Sequence, residues 1–126
     1  MNAPAKIFTP LQANNTLPLV RRIVSDILKA GRQIREVSLS AEDDQTQKQL
    51  DALMDQLDEL FEEIESLGCS YKDWNFSVGL VDFPAMVGGK EVLLCWKSDE
   101  DSVEYYHEPE AGFAGRKPLP ADKEAS

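Results

Sequence analysis

Apolar residues recur every three or four positions over two long stretches of the chain. The first stretch contains Val20, Ile23, Ile27, Ala30, Ile34 and Val37, and the second contains Leu50, Leu53, Leu57, Leu60, Ile64 and Leu67. This spacing places each set on one face of an α-helix, which turns once in about 3.6 residues. Since the spacing averages about 3.5 residues, the two helices should pack antiparallel as a coiled-coil-like hairpin.

Short motifs predict where the first helices begin. Thr9 and Gln12 have the spacing of a capping box, and Pro10 suits the first helical position. Pro18 is expected to end this short helix or to lie in the first turn of the long one, with Thr16 as its natural cap. A short helix followed by a separate long helix is therefore the expectation.

The second hairpin helix has its own boundary signals. Ser40 is predicted to be its N-cap, and Gly68 is predicted to end it. A small residue at Gly31 should let the partner helix come close. Four further apolar residues lie beside the two stripes: Val24, Leu28, Met54 and Phe61. Because one small sheet cannot cover this extra surface, we expect the chain to form a homo-oligomer, a dimer, through its helices.

After Gly68 the apolar period changes to about two, which is typical of strands. A short edge strand is predicted over Cys69–Asp73, and three further strands are predicted in GLVDFPAMV, KEVLLCW and SVEYYHE. Gly88 and Gly89 form a two-residue hairpin turn, since both positions of such a turn need positive φ. The predicted fold class is α+β: a long antiparallel helical hairpin packed on a three- to four-stranded antiparallel sheet.

The turns predict which residues pair across the sheet. Closing the Gly88–Gly89 turn places Phe83 opposite Leu94, and closing the next turn places Leu94 opposite Tyr105. The predicted apolar face, toward the hairpin, then holds Val81, Phe83, Ala85, Val92, Leu94, Trp96, Val103, Tyr105 and His107. The other face holds Leu80, Asp82, Pro84, Leu93, Cys95, Lys97, Glu104, Tyr106 and Glu108. A shift of one residue would exchange the two faces.

Length and composition limit the class of protein. The 126 residues suffice for one domain, predicted over residues 8–119, with a flexible N-terminus at 1–7 and a disordered tail at 120–126. The formal net charge of -10 argues against a nucleic-acid or anionic-membrane partner, because both need a basic surface. No apolar run is long enough to span a membrane, and the first residues, MNAPAKIF, have no apolar segment, so a secretory signal is not expected. Two cysteines without metal-site spacing fit a reduced, cytoplasmic protein.

Four stretches resemble a known family: FTPLQANNTLPLVRRI, GLVDFPA, EVLLCWK and YYHEPEAGFAGRKPL, which lie between Phe8 and Leu119. They are similar to a family of small bacterial proteins designated domain of unknown function 2203. The resemblance implies a single domain. It implies no reaction, and it assigns no catalytic or binding residues.

Several residues are candidates for ligand binding: Asp82, Cys95, Glu104, Tyr106, His107 and Arg116. Cys95 and His107 resemble a thiol nucleophile and its base, but the predicted register directs them to opposite faces. Asp82, Cys95 and Glu104 are predicted to form a row on the polar face. Arg116, in the Gly-rich segment AGFAGRKP, is expected to fold back and pair with Asp82 or Glu104, or else to bind an anion.

A divalent metal has weaker candidate ligands in His107, Glu108 and Glu110, since imidazole and carboxylates suit zinc or manganese. Against this, neighbouring strand residues point to opposite faces, so a core histidine bonded to the backbone is the simpler interpretation. Trp74 is the aromatic residue most expected to be exposed.

Three functional hypotheses follow. The first is a non-enzymatic, self-associating interaction module. The second is a small-ligand or divalent-metal binding protein whose site lies at the loop from His107 to Arg116. The third is an enzyme, for which the sequence offers no converging acid, base and nucleophile, and it indicates no particular cofactor.

Overall fold

A computed structural model describes residues 6–39, 43–73 and 76–120. Within these residues, two helices precede a five-stranded antiparallel sheet in the order β1-β2-β3-β4-β5. The elements are α1 (Pro10–Ser38), α2 (Asp44–Ser66), β1 (Ser70–Tyr71), β2 (Leu80–Val87), β3 (Lys90–Lys97), β4 (Tyr105–His107), a 3-10 turn (Phe113–Gly115) and β5 (Lys117–Pro118). The α+β prediction is confirmed, and β5 adds a strand to the three or four expected.

Some predictions concern residues that the structure does not describe. The flexible ends were predicted over segments that include residues 1–5 and 121–126, which lie outside the described residues, as does Trp74. Over the three described ranges, no helix is long and apolar enough to cross a membrane.

The first helix begins where the capping box predicted. The Thr9 hydroxyl accepts a hydrogen bond from the Gln12 amide, and the Gln12 side chain accepts one from the Thr9 amide. The predicted break at Pro18 is wrong, because α1 runs without interruption to Ser38. Thr16 is therefore not a cap, and its hydroxyl instead donates to the Gln12 carbonyl within the helix.

Packing explains why the helix continues through Pro18. Leu17 and Val20, on either side of Pro18, are almost fully buried, whereas Pro18 itself is exposed. A proline removes one backbone hydrogen bond and costs about 3 kcal/mol in a helix interior. Burial of the two neighbouring apolar side chains offsets a cost of this size, at about 1.5–3 kcal/mol each.

The second helix begins at Asp44 with Asp43 as its N-cap, so the prediction that Ser40 caps it is wrong. The Asp43 carboxylate accepts a hydrogen bond from the Thr46 amide at 2.8 Å. A carboxylate is favoured at this position because the helix N-terminus carries partial positive charge. Gly68 follows the last helical turn with φ of 95°, as predicted for a glycine after the C-cap.

The sheet packs one face on the helices. Trp96, Phe83 and Leu94 of that face have no exposed surface, which confirms the predicted core side of β2 and β3. Gly31 allows a close approach, but of a loop and not of α2: a Cβ atom there would lie 2.6 Å from Cγ of Phe76. Phe76 in turn stacks with Phe61 of α2, so this loop joins the two helices to the sheet layer.

The register between β2 and β3 is the predicted one. Phe83 lies opposite Leu94, and the turn between the strands has positive φ at both Gly88 and Gly89. Between β3 and β4 the prediction is wrong by one residue, because Leu94 lies opposite Tyr106 and not Tyr105. Both tyrosines fit a strand equally well, so their sequence carried no signal for the correct choice.

A contact with α1 explains the one-residue difference. The Asn14 side chain accepts a hydrogen bond from the Val103 amide at 2.7 Å and donates to the Val103 carbonyl at 3.3 Å. These bonds use the backbone groups of Val103, which is buried, and β4 begins only at Tyr105. As a result, Tyr106 packs against the core while Tyr105 and His107 lie on the outer face.

Candidate functional site

Three chemically reactive side chains meet on the outer face of the sheet. Asp82 of β2 lies opposite Cys95 of β3, and His107 of β4 lies beside them, opposite Leu93. Their exposed fractions are 5%, 1% and 3%. One ligand atom from each side chain lies within 4.8 Å of the others. The predicted separation of Cys95 and His107 onto opposite faces is therefore wrong.

The hydrogen bonds of His107 define the direction of its ring. Nδ1 lies 2.9 Å from the Glu108 carbonyl oxygen, and because a carbonyl only accepts, Nδ1 carries the hydrogen of this bond. Nε2 lies 3.3 Å from Oδ1 of Asp82. In the neutral ring, Nε2 presents a lone pair to a carboxylate oxygen. Such a contact is attractive only if a proton or another cation lies between the two atoms.

Burial controls the ionisation of Asp82 and Cys95. Burial raises the pKa of Asp82, while the neighbouring His107 and Lys72 oppose this rise. Burial and, to a smaller extent, the Asp82 carboxylate raise the pKa of Cys95 to about 12. The thiol is therefore protonated near neutral pH unless a cation replaces its proton. This state is unsuited to nucleophilic catalysis, which needs a thiolate.

A cavity of about 250 Å³ opens above the three side chains. Its other walls are Lys72, Leu80, Leu93, Pro109, Gly112 and Phe113. These walls are mostly apolar, with Lys72 as the single cationic side chain among them. The cluster thus lies at the base of a small recess that a water molecule or a small ligand could enter.

Arg116 holds the segment that covers this recess. Its guanidinium forms a two-pronged ion pair with Glu100, with both N–O distances at 2.8 Å, and one nitrogen also donates to the Cys95 carbonyl. The same group lies 4.1 Å from the Tyr105 ring centre and 4.8 Å from that of Phe113. Arg116 folds back as predicted, but its expected pairing with Asp82 or Glu104 is wrong.

The remaining predicted residues lie outside the cluster. Glu104 is exposed and accepts a hydrogen bond from the Ser102 hydroxyl, so it does not extend a row with Asp82 and Cys95. Tyr106 packs against the core. The carboxylate of Glu108 lies 3.8 Å from the ammonium groups of Lys90 and Lys117.

The three metal ligands predicted from the sequence, His107, Glu108 and Glu110, likewise do not form one cluster. Glu110 is exposed, and the structure groups His107 with Asp82 and Cys95 in place of Glu108 and Glu110. Two residues that shape the site were missed: Lys72 at the cavity wall and Glu100 as the Arg116 partner. Tyr105, which the predicted register placed on the apolar face, lies under Arg116. None of these three residues has a motif, and only the correct strand register could have indicated Tyr105.

These observations define an α+β protein with a helical hairpin and a buried Asp–Cys–His cluster on the outer face of its sheet. The chain belongs to the family of uncharacterised conserved proteins designated DUF2203, whose model matches residues 6–119. The resemblance seen in the sequence is thereby confirmed. No curated protein and no solved structure matches the chain.

Proposed function

We propose that this protein binds a thiophilic divalent cation, of which Zn²⁺ is the best fit, through Asp82, Cys95 and His107. The observation that carries the proposal is the 3.3 Å approach of Nε2 of His107 to Oδ1 of Asp82, while Nδ1 is bonded to a backbone carbonyl. Metal-binding histidines typically donate their second N–H to such an acceptor, which orients the ring and leaves the other nitrogen free to coordinate.

The spacing of the ligand atoms supports this proposal. Zinc bonds of about 2.0–2.1 Å to nitrogen and oxygen, in a tetrahedral arrangement, separate these two atoms by about 3.3 Å. The distance between His107 and Asp82 already has this value. The cluster spans at most 4.8 Å, so a bound ion would draw the Cys95 sulfur inward by roughly an ångström.

The ligand types and their charges favour zinc over a hard cation. Thiolate and imidazole are preferred by zinc and similar metals, whereas magnesium and calcium prefer oxygen. With an ionised Asp82 and Cys95, the two negative charges balance one Zn²⁺, so the buried site becomes neutral overall. Burial of an unpaired charge is costly, and this balance removes that cost.

The proposed site supplies three protein ligands and leaves a fourth position toward the cavity. Zinc sites that bind exchangeable ligands keep one position open in this way, whereas purely structural zinc sites use four protein ligands. The fourth ligand would be water or a small molecule that fits between the Phe113 side chain and Lys72. The proposal therefore combines the metal and small-ligand hypotheses in one place.

A thiol ligand must be reduced in order to bind metal, so we propose a reducing compartment, the cytoplasm of a bacterial cell. Both cysteines are free and buried, which suits this location. The absence of a membrane-crossing helix from the described residues is compatible with it but does not itself assign a compartment.

Cobalt titration tests the proposal directly. The full chain is prepared without a metal-affinity tag, stripped with a chelator, and titrated with Co²⁺ while the absorption spectrum is recorded. We expect one equivalent of Co²⁺ to produce a thiolate-to-cobalt charge-transfer band and the strong visible bands of tetrahedral cobalt, both lost on addition of Zn²⁺.

Two cysteine variants supply the matched control. Cys95→Ser should abolish the charge-transfer band, whereas Cys69→Ser, which alters an equally buried thiol outside the cluster, should retain it. His107→Gln should weaken binding by about tenfold or more. Lack of a charge-transfer band in the unaltered protein, or its persistence in Cys95→Ser, would contradict the proposal.

A further inference from the structure

The two helices extend well beyond the sheet. Every buried helical residue lies between Pro10 and Gly31 of α1 or between Leu57 and Ile64 of α2. We call residues 32–39 and 43–56 the arm, and none of them is buried. On α2 the arm covers more than three turns, or about 20 Å. Apart from Ile34, which packs against the core, its apolar residues therefore lack a third layer to pack against.

One side of the arm is continuous with the helix surface that, further along the helices, packs on the sheet. Phe61 of α2 lies on this side, where it contacts Tyr71 of β1 and Phe76. Met54 lies seven residues before Phe61, so it projects on the same side of the helix, but 56% of its surface is exposed. The sheet therefore covers this side of α2 only as far as Phe61. The surface around Met54 is left uncovered.

The other apolar residues named as candidates for self-association are largely covered within the chain. Val24 is 1% exposed, and Leu28 and Phe61 are partly buried against the core. Of these four residues, only Met54 remains available. A surface for association is therefore restricted to the arm, where Val37, Leu50 and Leu53 are also only partly buried.

The charges of the two helices indicate what covers this surface. Within the arm, α1 has two basic residues and one acidic residue, whereas α2, together with its N-cap Asp43, has one basic and four acidic residues. Pairing α2 of one chain with α2 of another would bring two strongly negative helices together. Pairing α1 of one chain with α2 of another instead brings opposite charges together twice, which favours the second arrangement.

We infer that the arm is a dimerisation surface whose partner is the arm of a second copy of this chain. The two copies are related by a twofold axis, so α1 of each lies along α2 of the other and Met54 lies at the contact. The second arm fills the layer that the sheet leaves open, and the four helices form a bundle. This inference is independent of metal binding.

A charge-exchange experiment tests the arrangement. One variant carries Arg32→Glu and Arg35→Glu on α1, and the other carries Asp51→Lys and Asp55→Lys on α2. Each variant alone would place like charges across both contacts of its own dimer, whereas a mixed dimer would have opposite charges at both. The mass of each sample is measured by light scattering at tens of micromolar, after chelator treatment.

The unaltered protein should have twice the 14.1 kDa mass of one chain. Each charge variant should have the monomer mass, and an equimolar mixture should recover the dimer. Met54→Asp should also yield monomers, while Leu19→Asp, at an exposed apolar helix position outside the arm, should remain dimeric. Circular dichroism verifies that every variant is folded. A monomeric unaltered protein, or a mixture that stays monomeric, would overturn the inference.

Discussion

The imidazole of His107 and the carboxylate of Asp82 form a buried contact, with Nε2 3.3 Å from Oδ1. Their side chains are only 4% and 7% exposed. Three adjacent strands contribute the two residues and the intervening Cys95, so the contact depends on the register of the whole sheet.

We predict that replacing either Asp82 or His107 alone destabilises the protein. Asp82→Asn or His107→Gln leaves a buried polar partner without its counterpart, so each should lower the free energy of unfolding by ~2–4 kcal/mol. The double variant should lose clearly less than the sum, because the second change then removes a group that is already unpaired. Urea unfolding of chelator-treated protein measures the three values.

Glu104→Gln is the matched control for this double-mutant cycle, since it alters the exposed carboxylate of the residue that precedes β4. Its effect should stay within about 0.5 kcal/mol, as is usual for surface changes. Strictly additive losses for Asp82→Asn and His107→Gln would show that the two side chains do not interact.

The Arg116–Glu100 ion pair leads to a second prediction. Arg116→Ala should lower the free energy of unfolding by ~1–3 kcal/mol, because a two-pronged, mostly buried ion pair and the stacking on Tyr105 are lost together. Chymotrypsin should then cleave faster after Phe113, whose segment Arg116 holds over the cavity. Glu100→Gln should reproduce part of both effects.

Lys90→Ala provides the comparison, because Lys90 pairs with Glu108 at 3.8 Å and the two side chains are 73% and 43% exposed. Such a pair contributes about 0–1 kcal/mol. If Arg116→Ala costs no more than Lys90→Ala and leaves the cleavage rate unchanged, Arg116 does not hold this segment.

A third prediction concerns alkaline pH. Burial raises the pKa of Cys69 from its ordinary value of 9.0 to about 12, with Lys6 opposing the rise. Between these two values the thiol ionises in the unfolded chain but stays protonated in the folded one. The folded state then binds more protons, so the free energy of unfolding falls as pH rises from about 9 toward 12.

The Cys69 thiol should contribute about 1 kcal/mol per pH unit to this decrease in the free energy of unfolding. Cys69→Ala should therefore make the protein less stable at pH 8 yet reduce the slope of stability against pH above 9. Urea midpoints measured at pH 8, 9 and 10 are sufficient to compare the slopes. An unchanged slope in Cys69→Ala would show that Cys69 titrates alike in both states.

The sequence alone determined the features that depend on neighbouring residues. The helical hairpin follows from apolar spacing, the start of α1 from its capping box, and the pairing of β2 with β3 from two glycines that adopt positive φ. In each case a few residues close along the chain have one favourable local conformation. The apolar face that includes Trp96 follows from the same turn.

Tertiary structure decided the features that depend on contacts between distant residues. Helix α1 continues through Pro18 because Leu17 and Val20 are buried, and β4 takes its register because Asn14 binds Val103 across 89 positions. Successive side chains of a strand point to opposite faces of the sheet. The contact between Asn14 and Val103 therefore places His107 on the face of Asp82 and Cys95, and not on the core face. The candidate site exists only in the register that a helix, distant in sequence, imposes on the sheet.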